Sequence, residues 1–218
     1  MAAVDFYGLK DKRDELLLAP LNFAVVLAPF GTQIPAKLTD ETGAFVELPD
    51  RWFSVGEIQK AAGVNMAPEM SVTGPEGYGS KGRRRDLVES ETFSIEFTAQ
   101  ETRLKTLDLA MDLDVSTFNA TDKELRFDKR RALKLPEYSA LFIGLDGEQG
   151  QELYPYFLYP KVTNTQRASL SLTDTNIIEY AVKLDYKETP GQAPWSFGLA
   201  GPGLPAFAAE LEEANAGF

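Results

Sequence analysis

Gly74-Pro75-Glu76-Gly77-Tyr78-Gly79-Ser80-Lys81 is the stretch of this chain that most resembles a phosphate-binding loop. Such a loop needs Lys followed by Ser or Thr after its second glycine, so that backbone amides cradle phosphates and the hydroxyl holds magnesium. Here Ser80 precedes Lys81, Pro75 removes an amide and no helical pattern follows, so nucleotide binding is not expected. Asp108, Asp112 and Asp114 offer hard oxygen ligands for a cation such as calcium, but their spacing is not that of an EF-hand loop. Aspartate at a helix end more commonly caps it or faces water. Carboxylate pairs able to hydrolyse glycosides cannot be singled out among 33 acidic residues without geometry. The chain has no cysteine and no histidine. Thiolate nucleophiles, disulfides, Ser-His-Asp triads and the common zinc and haem sites are therefore excluded. These residues predict no catalytic group, no cofactor and no metal.

The remaining chemistry is charge. The formal net charge is −11, a surface that repels nucleic acid at long range and favours solubility. Two basic clusters interrupt it: Lys81, Arg83, Arg84 and Arg85, and then Lys129, Arg130 and Arg131. Neither is interleaved with aromatics as in single-strand binders, so both are expected to pair with acidic patches on a neighbouring subunit. Tyr154, Tyr156, Phe157 and Tyr159 are expected to divide between a core face and an interface face. No apolar run is long enough for a membrane helix, and Met1–Lys12 lacks the pattern of a secretory signal, which predicts a cytosolic product without a membrane partner.

Positioning falls to strands. From Asn176 to Lys187, Ile178, Tyr180, Val182, Leu184 and Tyr186 alternate with polar residues, and Phe93, Ile95 and Phe97 do so within Thr92–Thr98. A period of two places each apolar set on one face of a strand. Antiparallel sheets with one wet face follow. Further strands are expected at Phe23–Ala28, Trp52–Ile58, around Leu125 and Phe127, and at Lys161–Leu172, with a hairpin of Tyr138–Leu145 and Leu153–Tyr159. Thr98 and Glu101 fit a capping box, opening a helix over 98–112 with Leu104, Leu107 and Met111 on its apolar face. Residues 67–88 read as a long polar loop with a task of its own. The expected organisation is an N-terminal arm (1–22), one β-rich body (23–203) and a C-terminal extension (204–218) whose Ala/Glu helix would be marginal alone.

The ordered series Trp52–Ile58, Glu76–Ser80, Glu91–Glu101, Tyr154–Val162 and Phe197–Gly203 resembles the major tail tube proteins of long, non-contractile-tailed (siphovirus-type) phages of actinobacteria. The resemblance covers about Leu48–Gly203 and implies a mainly β fold: a β-sandwich or barrel with one flanking helix. It implies a structural virion subunit, not an enzyme, with six copies closing into a ring and rings stacking into a channel for genome ejection. The implied partners are further copies of the chain, a tape-measure protein, a tail terminator and distal tail or baseplate proteins. Double-stranded DNA would pass through the lumen without specific binding, and the tail would be assembled in the host cytoplasm. Within the 67–88 loop, reaching to the next ring, the contact candidates are Gly77, Tyr78, Gly79, Lys81, Arg83, Arg84 and Arg85. A monomeric carbohydrate-binding β-sandwich, stacking sugars on Trp52, Trp195 or the Tyr154–Tyr159 cluster, is the alternative.

Overall fold

The two alternating segments form neighbouring strands of one antiparallel sheet in the computed structural model, which describes residues 6–79, 82–118, 123–131, 135–167, 170, 172–174 and 176–215. The strands are β1 (Asn22–Pro29), β2 (Phe53–Ser54), β3 (Val64–Thr73), β4 (Leu87–Ala99), β5 (Glu137–Leu145), β6 (Tyr154–Gln166), β7 (Tyr180–Tyr186) and β8 (Ser196–Ala200). Their order is β2-β1-β5-β6-β7-β4-β3, with β8 beside the first half of β6. The helices are α1 (Phe6–Lys10), α2 (Leu104–Met111) and α3 (Leu204–Asn215).

The sheet curls until the segment that follows β2 reaches the end of β4, leaving β3 as an edge. After β2 leaves β1, Ile58 bridges Ala99 at the end of β4, and backbone bonds run from Gln59 N to Thr98 O at 2.8 Å and from Gln100 N to Glu57 O at 2.9 Å. Glu179 fastens this seam, accepting from the side-chain amides of Gln59 at 3.0 Å and Gln100 at 2.9 Å. Closure satisfies backbone groups that an open edge would leave to water.

Inside lies one apolar core. Val25 and Leu27 of β1, Phe93, Ile95 and Phe97 of β4, Phe142 of β5, Tyr159 of β6, and Tyr180, Val182 and Leu184 of β7 are all buried. The alternation in β4 and β7 thus marks the core face, as their spacing predicts. Strand β7 is shorter than the pattern, however: Ile178 precedes it and is 43% exposed. Lys161–Gln166 continues β6 instead of starting a new strand, and the Tyr138–Leu145 hairpin forms as expected. Around Leu125 and Phe127 no strand forms: the bridge of this segment runs from Lys129 to Leu113, which follows α2 and lies outside the sheet. Of Trp52–Ile58 only Phe53–Ser54 is strand, since the chain there crosses from β1 to β4.

Helix α2 starts later than the capping box implies. Thr98 is held extended by its pairing with Ala181, so the helix begins at Leu104 without a side-chain cap. Its buried residues are Thr106, Leu109 and Ala110, while Leu104 is exposed. Glu101 instead closes the β2–β4 corner, accepting from Glu57 N at 2.8 Å and pairing with Arg103 at 2.6 Å. Gly56, at φ +86°, allows this carboxylate to approach, since a Cβ there would sit 2.6 Å from it.

The C-terminal end of α2 is anchored by polar groups. Asn164 and Arg167 both donate to the Leu109 carbonyl, at 2.6 and 3.3 Å. Asp112 takes a left-handed conformation (φ +60°) and faces Arg167 at 3.4 Å, and Asp108 accepts from Arg130 at 2.6 Å. Burial raises the Asp108 carboxyl above its ordinary value, opposed by Arg130. The same burial, with Asp108 nearby, pushes the Tyr138 hydroxyl up to about 12.

Candidate functional site

Strands β3 and β4 run on past the body as a two-stranded arm. Their pairing continues from Val64↔Phe97 to Thr73↔Leu87, with a bulge at Ser71/Val72 that strengthens the local twist. Every residue of β4 from Leu87 to Thr92 is exposed, whereas Phe93, Ile95, Phe97 and Ala99 are buried. Residues 67–73 and 87–88 are therefore strand, and the loop expected over 67–88 shrinks to the tip between Thr73 and Leu87. Period-two signals were present at Met66, Pro68, Met70 and Val72. Pro68 and the charge on Glu69 masked them, because proline is disfavoured in strands except at an edge. Strand β3 is such an edge.

The sequence candidates gather at the tip. Tyr78 is fully exposed, at 110% of the reference area. Gly79 takes φ +80°, and Glu76 bridges Arg83 to close the turn. Arg84 N donates to Pro75 O at 3.1 Å, and its guanidinium lies over Gly77, where a Cβ would come within 2.6 Å of it. Arg83 folds back along the arm, donating to Val72 O at 3.1 Å and pairing with Asp86 at 3.5 Å. Arg84 and Arg85 meet no carboxylate among the described residues. Lys81 lies outside the described residues.

Other sequence candidates are taken up within the fold. Arg130, expected to reach a neighbouring subunit, pairs internally with Asp108 and the Leu113 carbonyl. That places Asp108 against a guanidinium, and Asp112 against Arg167. Asp114 caps a short turn, where the Ser116 hydroxyl and amide hold its carboxyl below the usual range. Among the described residues no group of three or more His, Cys, Asp or Glu side chains is arranged to hold a metal ion. The aromatic cluster splits: Phe157 and Tyr159 join the main core, while Tyr154 and Tyr156 pack on the other side of β6 with Leu141 and Ala200. Trp52 donates to Gln33 O at 3.0 Å, and Trp195 rests on Phe93 at 5.7 Å between ring centroids.

The solvent face of β3, β4 and β7 is polar, carrying Asn65, Glu69, Ser94, Glu96, Lys183 and Asp185. Lys183 pairs with Glu96 at 2.8 Å, and that carboxylate raises its pKa. Thr165 donates to Asp185 at 2.6 Å. The described residues thus combine a closed apolar core, a wet polar face and a projecting arm.

The sequence signature described as "Phage tail tube protein" matches residues 12–198, most of the chain. The chain belongs to this family of phage tail tube proteins. It is a structural component of the virion tail, not an enzyme, and tail tube proteins build the tube with other tail components. Among solved structures it is similar to a chain of the anti-feeding prophage baseplate, seen by cryo-EM with 6-fold symmetrisation. That match has 14% identity and a TM-score of 0.40 over 83% of this chain and 93% of the other. A chain in the tail of an empty GTA particle, refined with C6 helical symmetry, matches at 9% identity and a TM-score of 0.32, over 86% and 98%. No curated protein matches the sequence.

Proposed function

We propose that this tail tube protein is the major subunit of a long, non-contractile tail of a phage infecting actinobacteria, closing as six copies into rings that stack into the channel for genome ejection. The observation that carries this reading is the arm. A two-stranded ribbon exposed on both faces is marginal in water by itself, so it is built to be completed by something else. Its exposed tip, with Tyr78, Arg84 and Arg85, would make the contact with an adjoining ring.

The polar face of β3, β4 and β7 suits the wall of such a channel. Its lysine is already paired, so a passing phosphate finds mostly carboxylates and hydroxyls, and each phosphate contact avoided removes a source of drag. Growth would start on a tape-measure protein and distal tail proteins, stop at a terminator and take place in the host cytoplasm. A heterologous surface polymerises unless its start is controlled.

Electron microscopy of the concentrated purified chain, and of virions labelled with antibody against it, tests the reading. Six-fold rings or stacked tubes are expected. Dispersed particles with affinity for a glycan array would overturn the proposal in favour of a sugar-binding module.

A further inference from the structure

Helix α2 ends against its own dipole. Its last turn carries Asp108, its C-cap is Asp112 and no basic residue stands there, although the partial negative charge of a helix end disfavours carboxylates. Both side chains are largely covered, at 15% and 7% exposure. Lys105 and Asp112 of the same helix act on Asp108, and so does Arg130 from the chain that returns after α2. Tyr138 of β5 and Arg167, just past β6, complete the cluster. Arg130 is the direct partner of Asp108 at 2.6 Å and also donates to the Leu113 carbonyl at 3.0 Å. The backbone staples the same place: Arg130 N donates to Asp112 O at 3.0 Å, and Asp114 N to Asp128 O at 2.9 Å.

We propose that the Asp108–Arg130 pair is an acid-released clasp: a proton on Asp108 frees Arg130 and unpins residues 128–130 from 112–114, while α2 stays seated. The helix holds its place without Arg130, because Leu109 and Ala110 are buried and Asn164 donates to the Leu109 carbonyl. Asp108 therefore keeps its cover when the clasp opens. Burial is the largest influence on its carboxyl and raises it, while Arg130 lowers it by charge and by hydrogen bond. Ionisation of Asp108 and engagement of Arg130 thus support each other. By linkage, a proton on Asp108 weakens the hold on Arg130 by the same factor by which Arg130 favours ionisation. The carboxyl titrates lower with the clasp closed than with it open, so the clasp is fully engaged above both values and is lost as pH falls through them. Burial sets both above the ordinary 3.8, and the clasp opens before freely exposed aspartates titrate. The freed guanidinium, on a side chain 35% exposed, is already beside water. Tyr138, pushed up to about 12, keeps its proton throughout, and the chain has no histidine to titrate in its place.

Hydrogen exchange of the unassembled full chain tests the clasp, read by mass spectrometry on peptides covering 112–118 and 123–131 and corrected for the chemical pH dependence of exchange. Between pH 7 and pH 4 these peptides should exchange faster by several-fold to about tenfold, since one pKa unit of coupling is a factor of about ten. Peptides from β4 and β7 should hold steady. Asp108→Asn keeps the side-chain shape but cannot ionise, so it should exchange fast at pH 7 already and gain nothing further at pH 4. Arg130→Gln should behave likewise from the other side of the pair, and it carries the test if Asp108→Asn does not fold. Asp128→Asn, at a side chain 80% exposed, removes a carboxylate outside the clasp and should keep the parent's pH response. Exchange in this region that is equal at both pH values overturns the proposal. So does an Asp108→Asn or Arg130→Gln chain that keeps the parent's rise, or an Asp128→Asn chain that loses it. The tube reading stands apart from each of these results.

Discussion

The two halves of β4 share one backbone ladder and differ in everything their side chains do. From Phe93 to Ala99 the inward residues are buried beneath α2, β5 and β7, while from Leu87 to Thr92 every residue is exposed. Both halves pair with β3. Hydrogen bonding therefore does not separate the rigid body from the arm; apolar burial does, at roughly 1.5–3 kcal/mol for each large side chain removed from water. The body half is finished within the chain. The arm half has its ladder but lacks the cover that would make it stable.

The sharpest way to break this contrast is to put the same change on either side of it. Ile95→Ala should destabilise the free chain by about 2–5 kcal/mol, the usual cost of emptying a core site, whereas Met70→Ala should cost less than about 0.5 kcal/mol. Urea denaturation of both variants decides it, and equal losses would mean that the arm is packed in the free chain. Tyr180→Asp, a buried carboxylate in the same core, should prevent folding. Deleting Gly74–Arg85 comes next: the sheet signal in circular dichroism should survive while tubes disappear. Tubes that grow unimpaired would remove the tip from ring stacking.

A smaller effect is expected at the seam. Arg103, and then the Glu57 amide, lower the Glu101 carboxyl below its ordinary 4.5. A carboxylate with a depressed folded pKa contributes stability that is full above the unfolded value and lost as pH falls through the folded one. Glu101→Gln should therefore lower the urea midpoint at pH 7 and flatten its decline below pH 4.5, read by denaturation at pH 7 and pH 3. The smallest effect belongs to the N-terminal segment. Arg13 lies 3.7 Å from both Glu210 and Glu213 on α3, and Arg13→Ala should cost no more than about 1 kcal/mol and less in high salt. If α3 came loose in that variant, as seen by proteolysis, the pair would be the main fastening of that helix.

Strands with strict alternation were legible because their pattern repeats a physical boundary. Phe93, Ile95, Phe97, Tyr180, Val182 and Leu184 face the core as their spacing predicts. Residues 67–73 were not legible as strand, since Pro68 and Glu69 are tolerated at a free edge whose neighbours are unknown from sequence. The capping box at Thr98 misled for a related reason: local hydrogen-bonding options lost to the ladder with β7. Likewise Arg130 looked like a surface cation until the fold set Asp108 beside it.

Composition and periodicity by themselves determined that this chain is acidic, without cysteine or histidine chemistry, and built from two-faced strands, because these properties reside in each residue and its immediate neighbours. Only the tertiary structure decided where the sheet closes, which arginines are consumed internally and which half of β4 is left uncovered. Those outcomes depend on distances between residues far apart in the chain, as at the Glu179 seam between Gln59 and Gln100, and no local pattern encodes them.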